Sequence, residues 1–198
     1  MQNTALREKD AFDGDRLERK GNDALFVVLM ADDDEDDYLL VKSAFEAGPV
    51  TVDLRWVQDG QEALDYLLHV GKYVARELSP RPDLILLDLI MPQKDGLETL
   101  REIKGHPYLQ KIPVVMLTTS AKQEHRNSGL RLGADSFIMK PHDLDEMTQL
   151  MSALHEHYFG IIRMPESGMR PAVHRSRSPA PSATRTPRDR AADDYFLN

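Results

Sequence analysis

The order of apolar segments predicts an α/β fold, a doubly wound five-stranded parallel sheet. Between Leu25 and about Pro165, strand-sized apolar runs alternate with stretches of helical period, five times over. The runs LFVVLM and LILL are apolar without interruption, as strands buried on both faces are. Acids, a hydroxyl or an amine follow four of the runs, on the edge where an open parallel sheet gathers its ligands.

Each element has its own signal. LFVVLM is the first strand. The helix after it places Leu39, Leu40, Ala44 and Phe45 near helical spacing and ends at Gly48-Pro49. TVDLRWV alternates and reads as strand two; QEALDYLLHV reads as helix two. Arg81-Pro82 opens strand three, DLILLD. GLETLREIK is helix three, closed by Gly105 and Pro107. IPVVMLTT is strand four, and residues 122 to 132 form helix four, ended by Gly133. SFIMK is strand five. DLDEMTQLMSALHEHYF is helix five, with Leu144, Met147, Met151, Leu154 and Tyr158 on one stripe.

The chain has 198 residues, which suits one domain with extra segments. Residues 1–23 are a polar extension, 24–163 the folded unit, and 164–198 a Pro/Ser/Arg-rich tail. Both extensions are expected to be disordered, because neither buries enough apolar surface to fold alone. With no cysteine, disulfides and thiolate metal sites are excluded. No apolar run approaches the ~20 residues of a bilayer span, and the N-terminus does not read as a signal peptide. These features place the protein in the cytoplasm. The net charge of −8 conceals a basic tail, with six Arg against one Asp from Arg170 to Arg190. An acidic body argues against general nucleic-acid affinity, and the tail reads as a solvated linker.

The chemistry gathers at the carboxyl ends of the strands. Strand one ends in Asp32-Asp33, strand three in Asp88, strand four in Thr118-Thr119 and strand five in Lys140-Pro141. Three carboxylates, a hydroxyl and an amine are expected on one edge. Such an acidic cluster is tolerable when it holds a hard divalent cation, and Mg²⁺ suits phosphoryl chemistry.

In MADDD, LLDLIMPQKDG, PVVMLTTS and FIMKP, in this order and spacing over about 140 residues, the sequence resembles the receiver domain of two-component response regulators. The resemblance implies the flavodoxin-like receiver fold, with Asp88 as phosphoacceptor. It implies Mg²⁺ bound by Asp33, Asp88 and the carbonyl of Ile90, with Asp32 reaching the ion through water. Thr118 and Lys140 would bind phosphoryl oxygens, and Phe137 fills the aromatic switch position, turning inward as Thr118 moves. The family's Lys140-Pro141 peptide is commonly cis. Two departures bear on hydrolysis. Ile90 and Ser120 stand where the family often carries an acid or amide that guides water. His142 is also less usual than an apolar residue.

The stretch from YLLHVGKY to PRPDLILLDL, a longer connection than in most receivers, and IKGHPYLQKIPVVMLTTS resemble the single-domain regulators that accompany bacterial phytochromes. This implies a sensor histidine kinase, a bacteriophytochrome, as partner. The tail is too short for a helix-turn-helix unit, so the expected output is contact with another protein. Apolar FGIIRMP after helix five suggests a homodimer seam running from helix four to helix five.

Blander readings stand beside these. Asp34, Asp36 and Asp37 suit a helix N-terminus, which leaves only Asp32 and Asp33 functional in that run. Asp37 sits where an EF-hand loop needs glycine, and Asp32-x-Asp34 lacks the Gly-Thr of a haloacid-dehalogenase-type phosphatase. Phe137 could be plain core. For the whole protein, the alternatives are a phosphate sink and a non-phosphorylated receiver-like interaction module.

Overall fold

The computed structural model describes residues 25–49 and 51–162. The N-terminal extension, the tail and Arg163-Met164-Pro165 of the expected dimer seam lie outside the described residues. Five strands, β1 (Phe26–Ala31), β2 (Val52–Val57), β3 (Leu84–Leu87), β4 (Val114–Thr118) and β5 (Ser136–Met139), alternate with five helices. The helices are α1 (Glu35–Ala47), α2 (Gly60–Leu67), α3 (Gly96–Gly105), α4 (Gln123–Arg131) and α5 (Leu144–Ile162). All strand pairs are parallel, in the order β2-β1-β3-β4-β5. The predicted fold class is therefore the observed one.

Side chains alternate across the strands, so each strand feeds two cores. Phe26, Val28 and Met30 of β1 join Leu84, Leu86, Val115, Leu117 and Ile138 on one face, covered by α1 and α5. Leu29 and Ala31 join Ile85, Leu87, Val114 and Met116 on the other, covered by α2 and α3. This two-sided burial explains the unbroken apolar runs. Two carboxylates close strand starts: Asp83 Oδ2 accepts from Val27 N (3.0 Å) and Asp135 Oδ2 from Val114 N (2.9 Å).

Three local expectations change. In α1 the inward face is Val41, Ala44 and Phe45, while Leu39 is exposed. In α5 the inward stripe starts at Met147 and includes Leu150; Leu144, at the first turn, is exposed. Helix two stops at Leu67 rather than Val70, because His69 adopts φ 55°, a conformation that ends a right-handed helix. A single 3₁₀ turn, Gly71–Tyr73, follows. The long connection is then tied down: Tyr66 Oη donates to the Pro80 carbonyl (2.9 Å) and Ser79 Oγ to that of Tyr73 (2.8 Å).

The α5 contrast gives a direct test. Leu150→Ala should cost about 2–5 kcal/mol and Leu144→Ala less than about 0.5 kcal/mol, read as shifts in urea unfolding. Equal costs would mean that α5 is rotated from the face described.

Candidate functional site

The strand order makes the site. From β1 the chain steps to β2 on one side and to β3 on the other, so the carboxyl ends of β1 and β3 flank the point where direction reverses. Asp32 and Asp88 leave these two ends. Asp88 N donates to the Ala31 carbonyl (2.9 Å) and Asp32 N to that of Val57 (3.0 Å). Both carboxylates are buried.

Lys140, at the end of β5, reaches across to them. Its Nζ lies 2.7 Å from Asp32 Oδ2, 2.6 Å from Asp37 Oδ2 and 3.1 Å from Asp88 Oδ1. The lysine side chain is only 4% exposed, so these contacts are made with little water to weaken them. Burial pushes Asp32 up to about 6, an effect that Lys140 opposes and Asp88 adds to. Burial also acts against the charge on Lys140. Asp32, Asp37 and Asp88 outweigh it and hold the ammonium above the ordinary lysine value.

The loop between β3 and α3 is clamped from several sides. Ile90 N donates to Asp88 Oδ2 (2.6 Å), Gly96 N to the Leu89 carbonyl (2.9 Å) and Gln93 Nε2 to Asp59 Oδ2 (2.8 Å). A Cβ on Gly96 would stand 2.1 Å from the Asp88 carbonyl oxygen, so only glycine lets α3 begin this close to Asp88. On the far side, Lys140 N donates to the Thr118 carbonyl (2.9 Å), and Thr118 Oγ1 accepts from Ser120 N (3.2 Å). Ser120 Oγ pairs with His125 Nδ1 at 2.9 Å.

The structure thus brings Asp32, Asp88 and Lys140 into contact, with Thr118 buried beside them in the β4–β5 ladder. Asp33 is exposed and is not among the lysine's partners. A third carboxylate, Asp37, does reach the lysine. Its position in the first turn of α1 explains this, since helical Cα–Cβ bonds tilt toward the N-terminus, here toward the strand ends. The Asp34 side chain accepts from Asp36 N (2.9 Å) as the helix cap. Trp56 was also missed: its Nε1 donates to the Asp32 carbonyl (2.8 Å) and its ring stacks on Tyr38 at 4.5 Å. Every described peptide bond is trans, Lys140-Pro141 included; the lysine is held inward by its three carboxylates. Phe137, expected to turn inward, is already buried at 6% exposure. The missing side chain of Gly129 gives the ring its room: a Cβ there would meet Phe137 Cδ2 at 3.2 Å.

The donor set suits a divalent cation. Asp32 and Asp88 offer hard oxygen ligands and already converge on one cation, the Lys140 ammonium. Among the described residues, no three Asp, Glu or His side chains enclose a metal site by themselves.

Known proteins similar to the chain share its fold. The family model described as response regulator receiver domain matches residues 28–152. The chain is 34% identical over 139 residues to the response regulator Rcp1 of Synechocystis sp., covering 70% of this chain and 92% of that protein. It is 35% identical over 141 residues to the probable methanogenesis regulatory protein FilR2 of Methanothrix harundinacea, covering 71% and 88% respectively. The phosphorylated cyanobacterial phytochrome response regulator RcpA superposes with a TM-score of 0.64 at 35% identity, over 70% of this chain and 96% of its own. The Mn²⁺-bound form of Rcp1 gives a TM-score of 0.61 at 33% identity, over 74% and 99%. No helix among the described residues is long and apolar enough to cross a membrane.

Removing the buried ammonium should be costly. Lys140→Met leaves Asp32 and Asp88 without their counter-charge and should destabilise the chelator-treated protein by about 3–5 kcal/mol. Millimolar Mg²⁺ should recover part of that loss in the same urea titration. An unchanged unfolding midpoint in chelator would show that the carboxylates do not depend on Lys140.

Proposed function

Because the chain belongs to the response regulator receiver domain family, we propose that Asp88 accepts a phosphoryl group from the phosphohistidine of a sensor histidine kinase. The carrying observation is the convergence of buried Asp88 and Asp32 on Lys140 at the strand ends. Asp88 is the acid of this group best placed to attack. It ends the central strand β3, with one oxygen facing Lys140 and the other held by Ile90 N.

A carboxylate oxygen of Asp88 attacks phosphorus in line. The phosphorus–nitrogen bond to the donor imidazole breaks, and its electron pair returns to the ring. The transition state is loose, so positioning and charge neutralisation do most of the work. Lys140 and Thr118 take phosphoryl oxygens. Asp33, Asp88 and the Ile90 carbonyl would hold Mg²⁺, with Asp32 reaching it through water, and the ion would supply positive charge against the repulsion between carboxylate and phosphoryl group. The Thr118 hydroxyl accepts from Ser120 N and keeps its own O–H to donate to a phosphoryl oxygen. Phe137 packs on Gly129, so a shift of its ring is felt first by α4. That supports a readout through α4, β5 and α5.

The name of RcpA, a cyanobacterial phytochrome response regulator, supports a phytochrome-type histidine kinase, the expected bacteriophytochrome, as the donor. The similar identity to FilR2, named for methanogenesis, supports a common core whose input is chosen elsewhere on the surface. A scaffold that never accepts phosphate has no need of the Asp32–Asp88–Lys140 arrangement. Asp88→Asn should abolish labelling by kinase and by acetyl phosphate, and chelation should do the same to the native chain. Full labelling of the mutant would sink the assignment.

The phosphoryl group should also be long-lived without the kinase. Hydrolysis needs a water oriented opposite the leaving carboxylate. The Ile90 side chain has no polar atom, and the Ser120 hydroxyl is engaged by His125. Purified phosphoprotein in Mg²⁺ should decay slowly, and Ile90→Asn with Ser120→Glu should accelerate the decay. Loss of phosphate within seconds from the native chain would favour a phosphate sink instead.

A further inference from the structure

One acid at the site has no role in the reaction just described. Asp37 Oδ2 lies 2.6 Å from Lys140 Nζ, the shortest of the lysine's three carboxylate contacts. An ammonium has three N–H donors, and here each faces one carboxylate. Asp37 differs from the other two in being reachable by water: its side chain is 26% exposed, against 2% for Asp32 and 6% for Asp88. It also comes from a different element, the first turn of α1, whereas Asp32 and Asp88 end strands.

Two cations compete for the strand-end carboxylates. The Lys140 ammonium holds Asp32 and Asp88, and a divalent cation would draw on both, on Asp88 directly and on Asp32 through water. If Lys140 yielded them with nothing else in reach, a 4% exposed ammonium would be left unpaired, which burial penalises heavily. Asp37 removes that obstacle because it keeps a charge-assisted hydrogen bond to the lysine while the strand-end oxygens turn to the metal.

We propose that Asp37 is a positioning residue that retains the Lys140 ammonium when a divalent cation engages Asp32 and Asp88, and thereby raises the metal affinity of the site. This rests on the reading of Asp88 as a metal-dependent phosphoacceptor. The neighbouring acids do not share the role. The Asp34 carboxylate caps α1, and Glu35 and Asp36 are exposed and make no contact with Lys140.

The test uses the full chain and its single tryptophan. Trp56 is bonded to the Asp32 carbonyl, so its fluorescence reports Mg²⁺ titrations, with Mn²⁺ binding followed in parallel by electron paramagnetic resonance. Asp37→Asn should weaken both ions about tenfold. Asp36→Asn, which removes the same charge one residue away, should change affinity less than about twofold. Asp37→Glu should restore most of the native value. In chelator, the ¹⁵N signal of the Lys140 ammonium should shift in Asp37→Asn and stay in place in Asp36→Asn. Equal weakening by the two Asn variants would reduce the effect to overall charge and overturn the proposal, as would unchanged affinity in Asp37→Asn. Asp88→Asn runs alongside with acetyl phosphate. If that variant is still labelled, the phosphoacceptor reading fails. If it is silent while Asp37→Asn binds metal normally, only the role of Asp37 fails.

Discussion

One ammonium group organises the chemistry of this molecule. Lys140 joins three otherwise separate pieces: the end of β1 through Asp32, the end of β3 through Asp88, and the start of α1 through Asp37. Without it, the strand order that brings Asp32 and Asp88 together would place two buried like charges side by side. The attraction is strong because the lysine is almost dry, and it is poised because the acids outnumber it. That excess negative charge leaves room for a second cation.

Much of the fold was legible because its rules are local. Unbroken apolar runs mark strands covered on both faces, and five strand–helix alternations leave few parallel arrangements. The errors have physical causes. Leu39 and Leu144 fit a helical period by spacing, but both side chains are exposed, and the buried stripes run through Val41, Ala44 and Phe45 in α1 and through Met147, Leu150 and Met151 in α5. The end of helix two depended on His69 adopting a positive φ, which nothing in its side chain announces.

At the site, sequence position singled out Asp32, Asp88 and Lys140 because each directly follows a strand, and Thr118 because it ends one. Asp37 lacked that signal. In a run of six acids it looks like helix-dipole decoration, and its contact with Lys140 spans more than a hundred residues of sequence. Helix three was read as starting at Gly96, but the close approach of Gly96 to the Asp88 backbone needs three dimensions. Ser120 stood out only as a departure from the acid or amide the family often carries there. Its engagement with His125 adds a partner that spacing alone did not suggest.

The two outer strands carry a consequence for self-association. β2 bears Asp53 and Arg55, bonded to each other at 2.7 and 2.9 Å along the open edge. β5 has only four residues and runs into Pro141, which has no N–H to offer a neighbour. Charge on one margin and brevity with proline on the other both discourage a foreign strand from adding to the sheet. Among the described residues, then, neither margin of the sheet favours polymerising through backbone hydrogen bonds, and the surface best suited to contact another protein is helical.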